Sequence, residues 1–283
     1  MILVLDVGGT KIKYGLADGD RLLPETCGQA DSHADESKEK VLEAFASLIE
    51  RARPLGADRA CVCMPGPFDY ENGVSHMKHK FASIEGVSLR APFESAGMDV
   101  TFVHDSTAFI LGEYAVGRLR EGKRPCCVML GTGLGYAMMK NGRVWERPNH
   151  TPAFLLWNAP YLDGICEDAV STRAIQACYG QKVPVAEIAR EARNGNARAR
   201  EAFLRTGEHL SEILRMIAQR FQPDICAMGG QISAASDLMQ IDAPMPLYPV
   251  SNPETTALRG AAVYAYLGRD RTVTCEPLPA AIV

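Results

Sequence analysis

One local pattern occurs twice in this chain. Residues 5–20 (LDVGGTKIKYGLADGD) pass from an apolar strand through a glycine turn with a threonine into a second strand and a polar turn. Residues 126–142 (CCVMLGTGLGYAMMKNG) do the same. A repeated supersecondary unit restricts the architectures open to a chain strongly, because each copy has its own apolar face to bury. The first copy opens on Ile2-Leu3-Val4-Leu5, a continuous apolar run that suits a strand covered on both faces. Lys11–Ala17 then alternates polar and apolar residues before Asp18-Gly19-Asp20 turns the chain again. The expectation is a duplicated α/β fold.

Asp6 stands out, since it is a carboxylate in what otherwise reads as a buried strand. Two readings are open from the residues alone. In one, Asp6 is a solvated acid at the mouth of a hairpin, and Gly8-Gly9 is an ordinary tight turn. In the other, the turn binds phosphate. Glycines let backbone N–H groups approach an anion, Thr10 and Lys11 add donors, and Asp6 holds a divalent metal through water.

Each copy is followed by alternating helices and strands. Residues 37–53 carry Val41, Leu42, Phe45, Leu48 and Ile49 at helical spacing, which predicts an amphipathic helix. A strand over 59–64 precedes Pro65-Gly66-Pro67 and a loop-rich stretch (68–98) holding His76, Lys78, His79 and Lys80. A strand at 100–103 leads into a helix opened by His104-Asp105-Ser106 and running to about Val116, then a polar, basic linker over 117–125. After the second copy come an irregular stretch (143–164), a helix from about Glu167, a helical region over 185–221, a strand ending in Gly229-Gly230, and a helix at 254–267. Two lobes are expected: 1–118 together with a C-terminal segment of about 254–283, and 119–253.

Composition excludes several function classes. With 47% hydrophobic and 23% charged residues, the 283-residue chain falls among ordinary globular proteins. Its net charge of −4, without a basic block, argues against a nucleic-acid partner. The apolar start is too short to span a bilayer and lacks the features of a signal peptide, so no membrane association and a cytoplasmic location are expected. Nine cysteines, several of them inside strand-like runs, read as reduced core residues. Cys61-Val62-Cys63 has a ligand-like spacing but lies in an apolar strand, so no structural zinc is expected.

Four motifs stand in order: Asp6-Val-Gly-Gly-Thr10, His104-Asp105-Ser-Thr-Ala108, Gly131-Thr-Gly-Leu-Gly135 and Met228-Gly-Gly-Gln-Ile-Ser233. Together they resemble the sugar kinases of the ROK family, from Met1 to about Leu267. The resemblance implies an α/β, two-lobed actin-like ATPase fold (a duplicated ribonuclease H-like unit) with a central cleft, ATP and Mg²⁺ as cofactors, and a homodimer. It implies that Gly8, Gly9, Thr10, Lys11, Gly131, Thr132 and Gly133 bind the nucleotide phosphates, that Asp6 positions Mg²⁺ through water, and that Gly229 and Gly230 lie against the adenosine. Asp105 would be the general base, although a plain helix cap also suits an Asp there. Gly66, Lys80, His104, Trp157 and Glu167 would face the acceptor.

The chain departs from the family in its acceptor half. His104 stands where the family usually has Asn. The family's Glu-x-Gly-His segment, counted from Gly131, falls on Phe154-Leu155-Leu156-Trp157, and the cysteine-rich zinc loop is missing. His150 reads as an exposed loop residue. Three classes are left: a kinase for a sugar or polyol, a nucleotide or sugar sensor derived from one, and an actin-fold kinase for another substrate. A DNA-binding member is not expected, because the chain begins on the first strand.

Overall fold

The computed structural model describes residues 1–275 apart from His79 and Ser251, with backbone alone at Arg269. In chain order the elements are β1 (Ile2–Val7), β2 (Lys11–Asp18), β3 (Arg21–Asp31), α1 (Lys38–Ala52), β4 (Arg59–Met64), β5 (Phe68–Asp69), β6 (Val74–Ser75), α2 (Arg90–Ser95), β7 (Asp99–His104) and α3 (Asp105–Val116). Then follow β8 (Pro125–Leu130), β9 (Leu134–Lys140), β10 (Arg143–Glu146), β11 (Pro160–Tyr161), β12 (Gly164–Ile165), α4 (Cys166–Val170), α5 (Thr172–Tyr179), α6 (Val185–Arg193) and α7 (Ala197–Phe221). The last are β13 (Ile225–Gly229), β14 (Leu247–Pro249), α8 (Thr256–Leu267) and β15 (Thr272–Thr274).

Contacts divide the chain into two units. The first holds Met1–Gly117, Arg143–Pro152 and residues 254–275; the second holds Arg118–Gly142 and Ala153–Pro253. Residues 143–152, grouped with the second half on sequence, belong to the first unit because β10 pairs with β15 and Glu146 bonds to α3. The end of the expected C-terminal segment, 276–283, lies outside the described residues.

The first unit is built on a five-stranded sheet ordered β3-β2-β1-β4-β7. β2 runs antiparallel to β1, while β4 and β7 continue in parallel. The apolar run of β1 is buried as expected of a central strand. Ser37 caps α1, whose Val41, Phe45, Leu48 and Ile49 join Leu3, Leu5, Val62 and Phe102 in one core. β3, read from sequence only as residues beyond a turn, lies at the sheet edge, where Pro24 costs no ladder bond.

α3 and α8 touch backbone to backbone. A Cβ on Gly112 would lie 1.9 Å from the Thr256 carbonyl oxygen, and one on Gly260 would lie 1.6 Å from that of Ala108. Only glycine permits that approach. It anchors the helix whose first residue is Asp105.

In the second unit β14, β13, β8 and β9 are neighbours in that order. β13 is parallel to β8, β14 is parallel to β13, and β9 is antiparallel to β8. This repeats the β7-β4-β1-β2 arrangement of the first unit, so the duplicated glycine turn marks a duplicated topology. The expected helical region over 185–221 is two helices. Gly195 takes a φ of 96°, and Asn196 caps α7 by accepting the Ala199 N–H at 3.1 Å. Among the described residues, no helix is long and apolar enough to cross a membrane.

Candidate active site

The first glycine turn joins β1 to β2, with the Gly8 N–H donating to the Lys11 carbonyl at 2.9 Å. Gly8 and Thr10 are exposed there. The Lys11 ammonium pairs with Asp31 of β3 at 2.5 Å. Lys80, expected to face the acceptor, stands at this turn: a Cβ on Gly9 would meet its Cδ at 3.5 Å. Asp6, half-buried at the end of β1, has its carboxyl pushed up to about 6. Burial is the main cause, Lys13 partly offsets it, and the Asp105 and Glu254 carboxylates add to it.

The second turn, Gly131-Thr132-Gly133, is closed by the Gly131 N–H donating to the Gly133 carbonyl at 3.0 Å. Thr132 is exposed at its tip. Thr172 at the start of α5 holds it from below, donating its N–H at 2.8 Å and its hydroxyl at 3.0 Å to the Gly131 carbonyl. Glu167, expected to meet the acceptor, accepts the Leu134 N–H at 3.0 Å and lies over Gly133, where a Cβ would come within 2.5 Å of its Oε2. It braces the turn because α4 begins at Cys166 and presents its first residues there. Gly230 follows β13 with a φ of 81°, and a Cβ on it would lie 2.2 Å from the Leu130 carbonyl oxygen. Gly230 thus packs against Leu130, the residue that leads into the second turn. Trp157 is 41% exposed on a short helical turn of the second unit.

Asp105 is the first residue of α3, following His104 at the end of β7. Its Oδ1 accepts the Ser106 N–H at 2.6 Å and the Ser106 hydroxyl at 3.2 Å, and lies 2.9 Å from His104 Nδ1. Burial pushes this carboxyl up. The His104 imidazole, through charge and a hydrogen bond, and the two Ser106 donors outweigh burial and hold it below the usual carboxylate range. Asp105 is therefore ionised at neutral pH, and its side chain is 36% exposed. Behind His104 stands Tyr70, its ring centroid 5.6 Å away and its hydroxyl donating to the Met64 carbonyl at 3.0 Å. Gly66 opens the same corner: a Cβ there would lie 3.8 Å from both His104 Nε2 and the Tyr70 hydroxyl.

Glu146 is the residue that sequence reasoning missed. It ends β10 with 1% exposure, and its Oε1 accepts the Thr107 hydroxyl at 2.9 Å. Oε2 has no hydrogen-bond partner, and His150 Nδ1 lies 3.5 Å from it. His150, read as an exposed loop residue, has a side chain only 11% exposed. An acid and an imidazole therefore stand beside one another here, four residues apart in sequence. An acid in a predicted irregular stretch, four residues before a histidine, was the available signal. His150 also borders a cavity of about 470 Å³ with Phe68, Asp69, Asn72, His76, Pro148 and Asn149. Among the described residues, no group of three or more His, Cys, Asp or Glu is placed to hold a metal ion.

The ROK family model matches residues 2–265, which is nearly the whole chain. The chain belongs to the ROK family. Among ROK relatives, it is 26% identical to an N-acetyl-D-glucosamine kinase from Photobacterium profundum, covering 81% of this chain and 83% of that protein. It is 24% identical to a glucokinase from Thermotoga maritima, covering 84% of each. A ROK glucokinase from Streptomyces griseus, solved with glucose and AMPPNP, superposes with a TM-score of 0.73 at 19% identity over 94% of this chain and 99% of that one. The fold is accordingly the actin-like ATPase fold of the ROK kinases.

Proposed function

We propose that this ROK protein transfers the γ-phosphoryl group of ATP to a hydroxyl of a sugar, with Asp105 as the general base. The observation that carries the reading is Asp105 itself. It is an ionised, partly exposed carboxylate fixed at a helix start, two residues before the Thr107 that bonds the buried Glu146. The relatives named for N-acetylglucosamine and glucose support a hexose or amino-sugar acceptor.

In the reaction, Asp105 takes the proton of the acceptor hydroxyl as that oxygen bonds to the γ-phosphorus. The bond from the γ-phosphorus to the bridging oxygen breaks, and ADP leaves with the electron pair. Glu146, with one oxygen unbonded, accepts a second acceptor hydroxyl and orients the ring, with His150 beside it. Each glycine turn, Gly8-Gly9-Thr10 and Thr132-Gly133, supplies N–H groups and hydroxyls of the kind that bind phosphate. Gly230 lets the adenosine lie close to the backbone.

A hydrated Mg²⁺ fits the donors around Asp6. A carboxylate destabilised by burial and by two neighbouring carboxylates is one that a cation relieves. Bound there, Mg²⁺ would neutralise phosphate charge during transfer. The same reading includes a homodimer, which sedimentation velocity tests.

The test is coupled ADP release from ATP and Mg²⁺ over a panel of glucose, N-acetylglucosamine, other amino sugars and polyols. Turnover on at least one member is expected. Nucleotide binding with no turnover on any of them would favour the sensor reading.

A further inference from the structure

His104 was expected to face the acceptor, yet its closest polar contact is the base. Nδ1 lies 2.9 Å from Asp105 Oδ1 and 3.1 Å from the Ser106 nitrogen. One ring nitrogen cannot serve both contacts in the same way. To accept the Ser106 N–H, Nδ1 must be bare, which sets its lone pair against those of Oδ1 at hydrogen-bond distance. With a proton on Nδ1, the ring donates to Oδ1, and the Ser106 N–H is already satisfied by the same oxygen at 2.6 Å. The second arrangement has no repulsive contact.

We infer that His104 is a positioning residue: its Nδ1–H fixes Asp105 Oδ1, so that Oδ2 is the oxygen offered to the acceptor. This rests on Asp105 being the base. Hydrogen bonds from Ser106 and His104 all converge on Oδ1. A carboxylate with one oxygen saturated by three donors cannot rotate freely, and its other oxygen keeps a defined direction. That is what a base needs if it is to meet a hydroxyl in line with phosphoryl transfer.

The imidazole is itself well held. In the β4–β7 register Met64 sits opposite His104, and Tyr70, 3% exposed, bonds to the Met64 carbonyl while its tilted ring backs the imidazole. The His104 side chain is 13% exposed. The titratable groups around this corner are Asp105 on α3, Tyr70 after β5, Cys63 on β4, Asp6 on β1 and Glu146 on β10. None of these supplies a second N–H to Oδ1. Among the described residues, the donors recorded at Oδ1 are His104 and Ser106.

Side-chain geometry gives a discriminating test. An Asn amide nitrogen stands as many bonds from Cα as His Nδ1, while a Gln amide nitrogen reaches the place of Nε2. His104→Asn should keep kcat within about threefold of the parent. His104→Gln and His104→Ala should lower it roughly 10- to 100-fold with little change in KM, the usual effect of losing an orienting hydrogen bond. The acid limb of the kcat/KM profile should move to higher pH in the Ala and Gln variants and less far in Asn, which restores the hydrogen bond to Oδ1 but not the imidazole's charge.

If Gln preserves activity while Asn raises KM, His104 binds the acceptor through Nε2 and the inference is overturned. Nitrogen-15 NMR of the parent protein labelled at histidine decides the tautomer without turnover. A protonated Nδ1 is expected, and a bare Nδ1 would overturn the inference even if every variant misfolded. Absence of parent turnover on any acceptor would instead count against the kinase reading, and the NMR result would still decide the His104 contact.

Discussion

The buried Glu146 carboxylate accepts the Thr107 hydroxyl at 2.9 Å, tying the end of β10 to the first turn of α3 just beyond Asp105. Glu146→Gln keeps an oxygen for Thr107 but replaces the unbonded acceptor oxygen with a donor. We expect KM for the sugar to rise about tenfold or more, with kcat and thermal stability much less affected. Glu146→Ala should also destabilise the protein by about 1–3 kcal/mol, because the Thr107 hydroxyl is left buried without a partner. Steady-state kinetics and thermal unfolding separate the two effects. An unchanged KM in Glu146→Gln would remove Glu146 from the acceptor site.

Asp6 gives a pH prediction with a defined sign. Its folded carboxyl is raised to about 6, above its ordinary value of 3.8, so the folded state holds the proton more tightly than the unfolded chain does. Without ligand, Asp6 carries no penalty below about pH 4 and a growing one between 4 and 6. Above 6 the penalty is full, at most about 3 kcal/mol. Asp6→Asn should therefore unfold at a higher temperature than the parent at pH 8 and at nearly the same temperature at pH 4. The variant should also lose most of the stabilisation that ATP with Mg²⁺ gives the parent. Equal melting temperatures at pH 8 would contradict the burial argument.

Gly230→Ala tests the second turn. A methyl group there meets the Leu130 carbonyl oxygen at 2.2 Å, and the φ of 81° strains any side chain. The end of β8 must shift, at a cost of about 1–3 kcal/mol or more. Because Leu130 immediately precedes Gly131, nucleotide affinity should fall with stability. Calorimetric titration with AMPPNP measures it, and unchanged affinity would detach Gly230 from the nucleotide site.

Much of this architecture was legible because local patterns carried it. The apolar run of β1, the helical spacing in α1 and the two glycine turns each depend on residues close in sequence. β3 was hidden because an edge strand buries little and tolerates Pro24 and polar residues, so RLLPETCGQAD shows no clean alternation. Glu146 was hidden for another reason. β10 is four residues long, and its acid meets Thr107, 39 positions away. Counting from Gly131 assumes a connection of family length, and so passes over the acid and the imidazole that stand at 146 and 150. Glu167 is placed at the acceptor by the family resemblance and Lys80 by its chemistry; neither reading shows that their side chains also lie against the two glycine turns, which is a matter of tertiary packing.

The most direct measurement is turnover by Asp105→Asn on whichever sugar the parent phosphorylates. The amide keeps the size of the side chain and its oxygen at the helix start, but it cannot take the hydroxyl proton. kcat should fall roughly 10²–10⁴-fold, the usual contribution of a general base, while AMPPNP affinity stays nearly the same. Turnover unchanged from the parent would contradict Asp105 as the base and, with it, the mechanism proposed for this chain.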